Sequence, residues 1–170
     1  MIRLISSYSL TFILLVLLQV LVLNNMHLSF LLNPYVYILF ILLLPFETPG
    51  WAVLSLAFFL GLIMDAFSNT PGLHSMAIVL MAFSRKYLLQ VMAPRDGYDQ
   101  GQYPHYSNMG LVWFIIYAGI LILIHHLCLF TLEDFRLSYF PTALGKSILS
   151  GIFSLVVMLV LMLFSYKPRT

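Results

Sequence analysis

Charge is what this sequence has least of. Asp, Glu, Lys and Arg make up only 8% of the 170 residues, where an ordinary soluble domain carries roughly 25%. Hydrophobic residues make up 62%. No water-soluble surface could be built from so few charges around so much apolar side chain, so the solvent for most of this chain is a lipid bilayer. The eight basic residues are scattered, which excludes a polybasic surface for nucleic acid. Cysteine is nearly absent. Cys128 stands alone in an apolar run, forms no intramolecular disulfide, and reads as a small core hydrophobe. Reactive signatures are missing as well: there is no phosphate-cradling glycine loop, no His-Glu-x-x-His, no Gly-x-Ser-x-Gly and no paired-cysteine motif. No membrane helix carries an acid pair, or the stripe of acids and amides that an ion path needs. No cofactor, no metal and no catalytic residue is therefore expected.

Long apolar runs are abundant. A spanning helix needs about 20 largely apolar residues at 1.5 Å per residue. Candidate spans fall at about 8–23, 34–46, 51–67, 72–84, 109–130 and 142–165. The expected fold is therefore an all-α integral membrane protein, a single domain (residues 1–170) of about six transmembrane helices. Arg3 precedes the first run, but Asn24, Asn25, Met26 and His27 follow it without a small-x-small cleavage site, so it reads as an uncleaved helix. The second run is short and bounded by Pro34 and Pro45. The fourth meets Arg85 and Lys86 early. Either an interfacial piece extends it to about 93, or the helix tilts and the two cations snorkel. Residues 94–108 are rich in turn formers and read as a cytoplasmic loop.

Basic residues give the expected orientation. With six spans, Arg3, Arg85, Lys86, Arg95, Lys167 and Arg169 fall on one side, and only Arg136 and Lys146 on the other. Both termini are thus expected in the cytoplasm.

The most informative stretch runs from Gly61 through Asp65 to Asn69, Pro71, Gly72 and His74. Gly61 and Asp65 are four apart and share a helix face. The glycine allows close backbone approach, and an acid near a membrane helix end needs partners or water. Two readings stand: a polar anchor fixing helix three to helix four or to a partner, or an interfacial acid bound to turn amides and water. Ser147, Gly151 and Ser154, spaced four and three apart, form a small-residue face for close helix contact, within the chain or with a partner. His125 and His126 are neighbours that point about 100° apart, so they chelate one metal poorly. They read better as bonded to a backbone carbonyl or facing interfacial water. Glu47 is expected to be solvated or to cap the next helix. Trp51, Tyr8, Tyr35, Tyr37 and Tyr166 fit interfacial belts.

Four strings carry a family resemblance: Pro45-Phe46-Glu47-Thr48-Pro49, Gly61 to Asp65, Ser68-Asn69-Thr70-Pro71-Gly72-Leu73-His74, and Ala93-Pro94-Arg95-Asp96-Gly97-Tyr98. With the length and helix count, they resemble the bacterial rod shape-determining MreD family, most densely over 33–98. The resemblance implies a non-enzymatic, multi-pass scaffold subunit of the elongation machinery in the bacterial inner membrane. It would bind the bitopic protein MreC and act, directly or indirectly, with MreB, RodA and its transpeptidase in peptidoglycan synthesis. The resemblance also implies a fold similar to the substrate-binding subunits of energy-coupling-factor vitamin transporters, which makes such a subunit the competing expectation. Those subunits commonly carry an Ala-x-x-x-Ala pair on their first helix, whereas 8–23 here contains neither Ala nor Gly.

Overall fold

The computed structural model describes residues 2–26, 32–99, 101–134 and 140–165. The chain is helical, with no β-strand among the described residues. In chain order the helices are α1 (Ile2–Leu17), α2 (Leu39–Leu42), α3 (Gly50–Ser68), α4 (Leu73–Val91), α5 (Tyr106–Met109), α6 (Leu111–Asp134) and α7 (Phe140–Ser165). α1 runs on through a π-helical turn, Leu18–Val22, and a 3-10 turn, Leu23–Asn25. α3 packs on α4, α4 on α6, and α6 on α7. Gly50–Ser68, Leu111–Glu133 and Phe140–Phe164 are long and apolar enough to cross a membrane. The chain is a helical membrane protein.

The bundle has two distinguishable ends. At one, α3 closes beside the start of α4, next to Asp65; at the other, α4 runs out past Arg85 toward the start of α6. α3 ends on Asn69, in the left-handed conformation at φ 56°, whose N–H returns to the Asp65 carbonyl. Pro71 and Gly72 complete the turn, with Gly72 at φ 84°, a backbone that glycine adopts without strain. α4 is one continuous helix to Val91, in place of the short span and interfacial extension expected. Arg85 does not snorkel either. It turns inward, with 3% of its surface exposed, while Lys86 stays exposed.

The largest departure from the sequence reading is the expected helix over 34–46. Only one helical turn forms there, Leu39–Leu42. The segment nevertheless passes from end to end through the bundle. Pro34 and Tyr35 sit beside the Asp65 end, and Phe46 lies against the opposite end near Tyr98. Its apolar side chains from Val36 to Leu42 are almost wholly buried and form the centre of the core with Leu60, Met64, Ile78, Met81, Phe114 and Leu121. Irregular backbone at membrane depth is tolerated only where protein surrounds it and its polar groups find partners. Here protein surrounds the segment, and side chains of other helices pair several of its backbone groups. Tyr37 is consequently a core residue and not a member of an interfacial belt, whereas Trp51 is exposed as a belt requires. The Tyr8 side chain and Tyr166 lie outside the described residues.

The loop after α4 is pinned to the bundle. Gly97, at φ 80°, turns the chain, and its N–H donates to the Pro94 carbonyl at 3.0 Å. This presents Tyr98, whose ring stacks on Phe46 at 3.9 Å between centroids and whose hydroxyl donates to the Leu89 carbonyl at 2.8 Å. Glu47 does not cap α3; its carboxylate accepts from the Gly101 N–H at 3.0 Å across this junction.

Candidate functional site

The expected site residues meet at the Asp65 end. Asp65 is 7% exposed and accepts four hydrogen bonds. They come from the Thr70 hydroxyl at 3.0 Å, the His74 N–H at 2.9 Å, the Ser75 N–H at 3.0 Å and the Ser75 hydroxyl at 2.6 Å. Two of these donors are first-turn amides of α4, which have no partner within their own helix. A carboxylate on α3 thus caps α4, at the positive end of its dipole. Directly above, Gly61 brings the two helices together: a Cβ at this position would overlap the Ser75 backbone. Gly61 and Asp65 therefore fix α3 to α4 within the chain. Asn69 and Gly72 supply the turn, and Pro71 sits between them.

His74 leads into a buried polar chain that sequence reasoning did not assemble. The Tyr37 hydroxyl lies 3.1 Å from His74 Nδ1 and 2.7 Å from His125 Nε2. His125 Nδ1 lies 3.4 Å from His126 Nδ1, which is 2.9 Å from the Ile122 carbonyl. His126 Nε2 lies 3.2 Å from the Ser154 hydroxyl. A carbonyl only accepts, so His126 carries its proton on Nδ1. With all three rings neutral, one direction satisfies the chain: Ser154 donates to His126, His125 donates to Tyr37, and Tyr37 donates to His74. Tyr35 covers it, with its ring edge-on to His74, His125 and His126. His125 and His126 are fully buried and do not face interfacial water. Among the described residues, no group of three or more His, Cys, Asp or Glu side chains is placed to hold a metal ion.

Ser154 has a second bond: its oxygen accepts from the Tyr35 N–H at 2.9 Å. This belongs to a wider pattern. Ser150 accepts from the Asn33 N–H at 3.0 Å. Gln19, fully buried in the π turn, accepts from the Val36 N–H at 2.7 Å and donates to the Pro34 carbonyl at 3.0 Å. Tyr117 donates to the Leu42 carbonyl at 3.0 Å, and Arg85 Nη2 donates to the Leu44 carbonyl. Side chains from α1's extension, α4, α6 and α7 thus pair several of the backbone groups that the 32–46 segment leaves without a helical partner. The small-residue face of α7 is likewise internal. Gly151 packs on Ile122 of α6, and the fully buried Ser147 donates to the Ala143 carbonyl. The signal for Gln19, Ser150 and Tyr117 was in the sequence, since each is a polar group inside an apolar helix.

Two cavities open at the bundle ends. One, of about 880 Å³, lies at the Asp65 end among Asn24, Asn33, Tyr35, Thr70, His74 and Glu133. The other, of about 360 Å³, lies at the opposite end beside Arg85. Family models, curated proteins and solved structures were all compared with the chain, and none matches it. The polar chain below His74 branches at His126, to the Ile122 carbonyl and to the Ser154 hydroxyl, and His125, His126 and Ser154 are fully buried.

Proposed function

We propose that this protein is a non-enzymatic scaffold subunit of the MreD type, serving the cell-elongation machinery of the bacterial inner membrane. In this reading the chain crosses six times, with the 32–46 segment as the second crossing and both termini in the cytoplasm. One outward helical face holds the single span of an MreC-like partner. The Asp65 end, at the periplasmic surface, touches that partner's base. RodA, its transpeptidase and MreB join through the same assembly, directly or indirectly.

The observation that carries the proposal is the employment of the family-like strings. Asp65, Gly61 and the 69–72 turn hold helix to helix, and Tyr98 holds a loop to the bundle. These residues build a rigid shape, which is what a scaffold contributes. Outside that frame, α7 presents Ile148, Leu149, Ile152, Val156, Val160 and Leu163 to its surroundings, an apolar face suited to lipid and to another helix.

A second reading, a substrate-binding membrane subunit of a vitamin-type transporter, is favoured by one observation. The 880 Å³ cavity has polar walls and falls within the usual range for small-molecule sites, about 300–1,000 Å³. Purification of the tagged chain from its own membranes in mild detergent separates the two. Co-purification of an MreC-like bitopic protein and the elongation synthase supports the scaffold. Co-purification of an ATPase module instead overturns it in favour of the transporter subunit.

A further inference from the structure

We propose that the cavity at the Arg85 end binds a phosphate-bearing anion at the level of the lipid headgroups. This inference is independent of the scaffold reading.

Arg85 is a buried guanidinium cation whose bonded partners are all neutral. Nε donates to the Tyr117 hydroxyl at 2.9 Å, and Nη2 donates to the carbonyls of Leu44 and Pro45. Among the described residues no acceptor is bonded to Nη1. A guanidinium has five N–H donors and a geometry matched to phosphate oxygens. A cation in a low-dielectric interior is costly unless a counter-charge approaches it. The structure leaves room for one, because Arg85 lines the cavity of about 360 Å³. The walls around it favour an anion. Lys86 adds a second cation, and Thr48, Gln90 and Tyr98 add polar groups. Gly50, the first residue of α3, lines the cavity too, so the positive end of a 19-residue helix lies beside it. No acid lines it. Basic pockets between membrane helices at headgroup depth are the kind of site that takes acidic phospholipids. The same chemistry would take a soluble phosphate.

Arg85 also holds the 32–46 backbone, so its neighbours are the residues to vary. The full chain is purified in mild detergent and offered equal amounts of phosphatidylglycerol and phosphatidylcholine with the same acyl chains. Bound lipid is read by native mass spectrometry. In a parallel arm, inorganic phosphate is added and the thermal shift is recorded. Three variants are compared with the wild type. Lys86→Gln removes a cavity charge. Gly50→Leu places bulk where a Cβ meets open space, leaving the charge unchanged. Arg95→Gln removes an exposed cation that does not line the cavity.

The wild type is expected to retain phosphatidylglycerol over phosphatidylcholine. Lys86→Gln should lower that retention by about fivefold, in line with one basic side chain acting near the headgroups. Gly50→Leu should lower it as well, and Arg95→Gln should leave it unchanged. Stabilisation by inorganic phosphate, sensitive to Lys86→Gln and without lipid preference, would keep the anion site and make its source soluble. Equal retention of the two lipids together with no response to phosphate overturns the proposal. So does a loss in Arg95→Gln as large as in Lys86→Gln with Gly50→Leu silent, which would mark a diffuse charge effect around the bundle.

Discussion

The carboxylate of Asp65 accepts from both the N–H and the hydroxyl of Ser75, at 3.0 and 2.6 Å, and so joins the end of one helix to the start of the next. Removing it leaves the His74 and Ser75 amides and two hydroxyls without their acceptor. Asp65→Leu is expected to destabilise the bundle by about 3 kcal/mol, since each buried donor left unpaired costs roughly 1–3 kcal/mol and membrane values fall at the low end. Asp65→Asn keeps the shape and part of the acceptor capacity and should lose less. Thermal unfolding in detergent ranks the two. A Leu variant as stable as wild type, and still assembled with its partners in cells, would refute the anchor role.

Gly61 and Gly119 are both helical glycines, yet they should respond oppositely to alanine. At Gly61 the added Cβ meets backbone of α4, while at Gly119 it meets nothing within 4 Å. Gly61→Ala forces α3 and α4 apart and should cost about 1–3 kcal/mol. Gly119→Ala should be neutral or stabilising by up to about 1 kcal/mol, from helix propensity alone. Melting temperatures of the pair decide it; equal shifts would mean that the α3–α4 contact is looser than described.

Gln19 satisfies two backbone groups of the 32–46 segment. Gln19→Leu is nearly isosteric and more apolar, so a purely hydrophobic account predicts a gain. The unpaired Val36 N–H and Pro34 carbonyl predict a loss of about 2 kcal/mol instead. Hydrogen exchange at the Val36 amide gives the local readout and should accelerate.

His105 caps the short helix α5, its Nδ1 accepting from the Ser107 N–H at 3.1 Å. Burial lowers its pKa from the usual 6.5. The folded state then binds fewer protons than the unfolded chain near that pH. The stability it contributes is therefore present above 6.5 and lost as pH falls through the lowered value. His105→Asn keeps a capping acceptor without the titration. Its melting temperature should decline less than wild type's between neutral and mildly acidic pH; parallel declines would rule His105 out as the source.

Much of the frame was legible because hydropathy alone finds long apolar helices: α3, α6 and α7 lie within a few residues of where the sequence places them. The Gly61–Asp65 pairing was legible for a local reason, since a spacing of four puts both on one face. The 32–46 segment was not. From Val36 to Leu44 every residue is apolar or aromatic, and composition of that kind does not separate helix from buried irregular chain. What holds it open lies 15 to 119 residues away, in Gln19, Arg85, Tyr117, Ser150 and Ser154. The histidine chain was hidden for the same reason, because Tyr37, which joins His74 to His125, has in sequence the look of an interfacial aromatic.

That distance has a consequence for how the protein is made. The 32–46 segment is synthesised long before α7, yet the hydroxyls that receive the Asn33 and Tyr35 amides belong to α7. Until then those amides have no protein partner in the finished arrangement, so water, lipid headgroups or the insertion machinery must hold them. The packing of the 32–46 segment is completed only by α7, and a nascent chain ending before Ser150 should exchange its Asn33 and Tyr35 amide hydrogens faster than the full-length protein does.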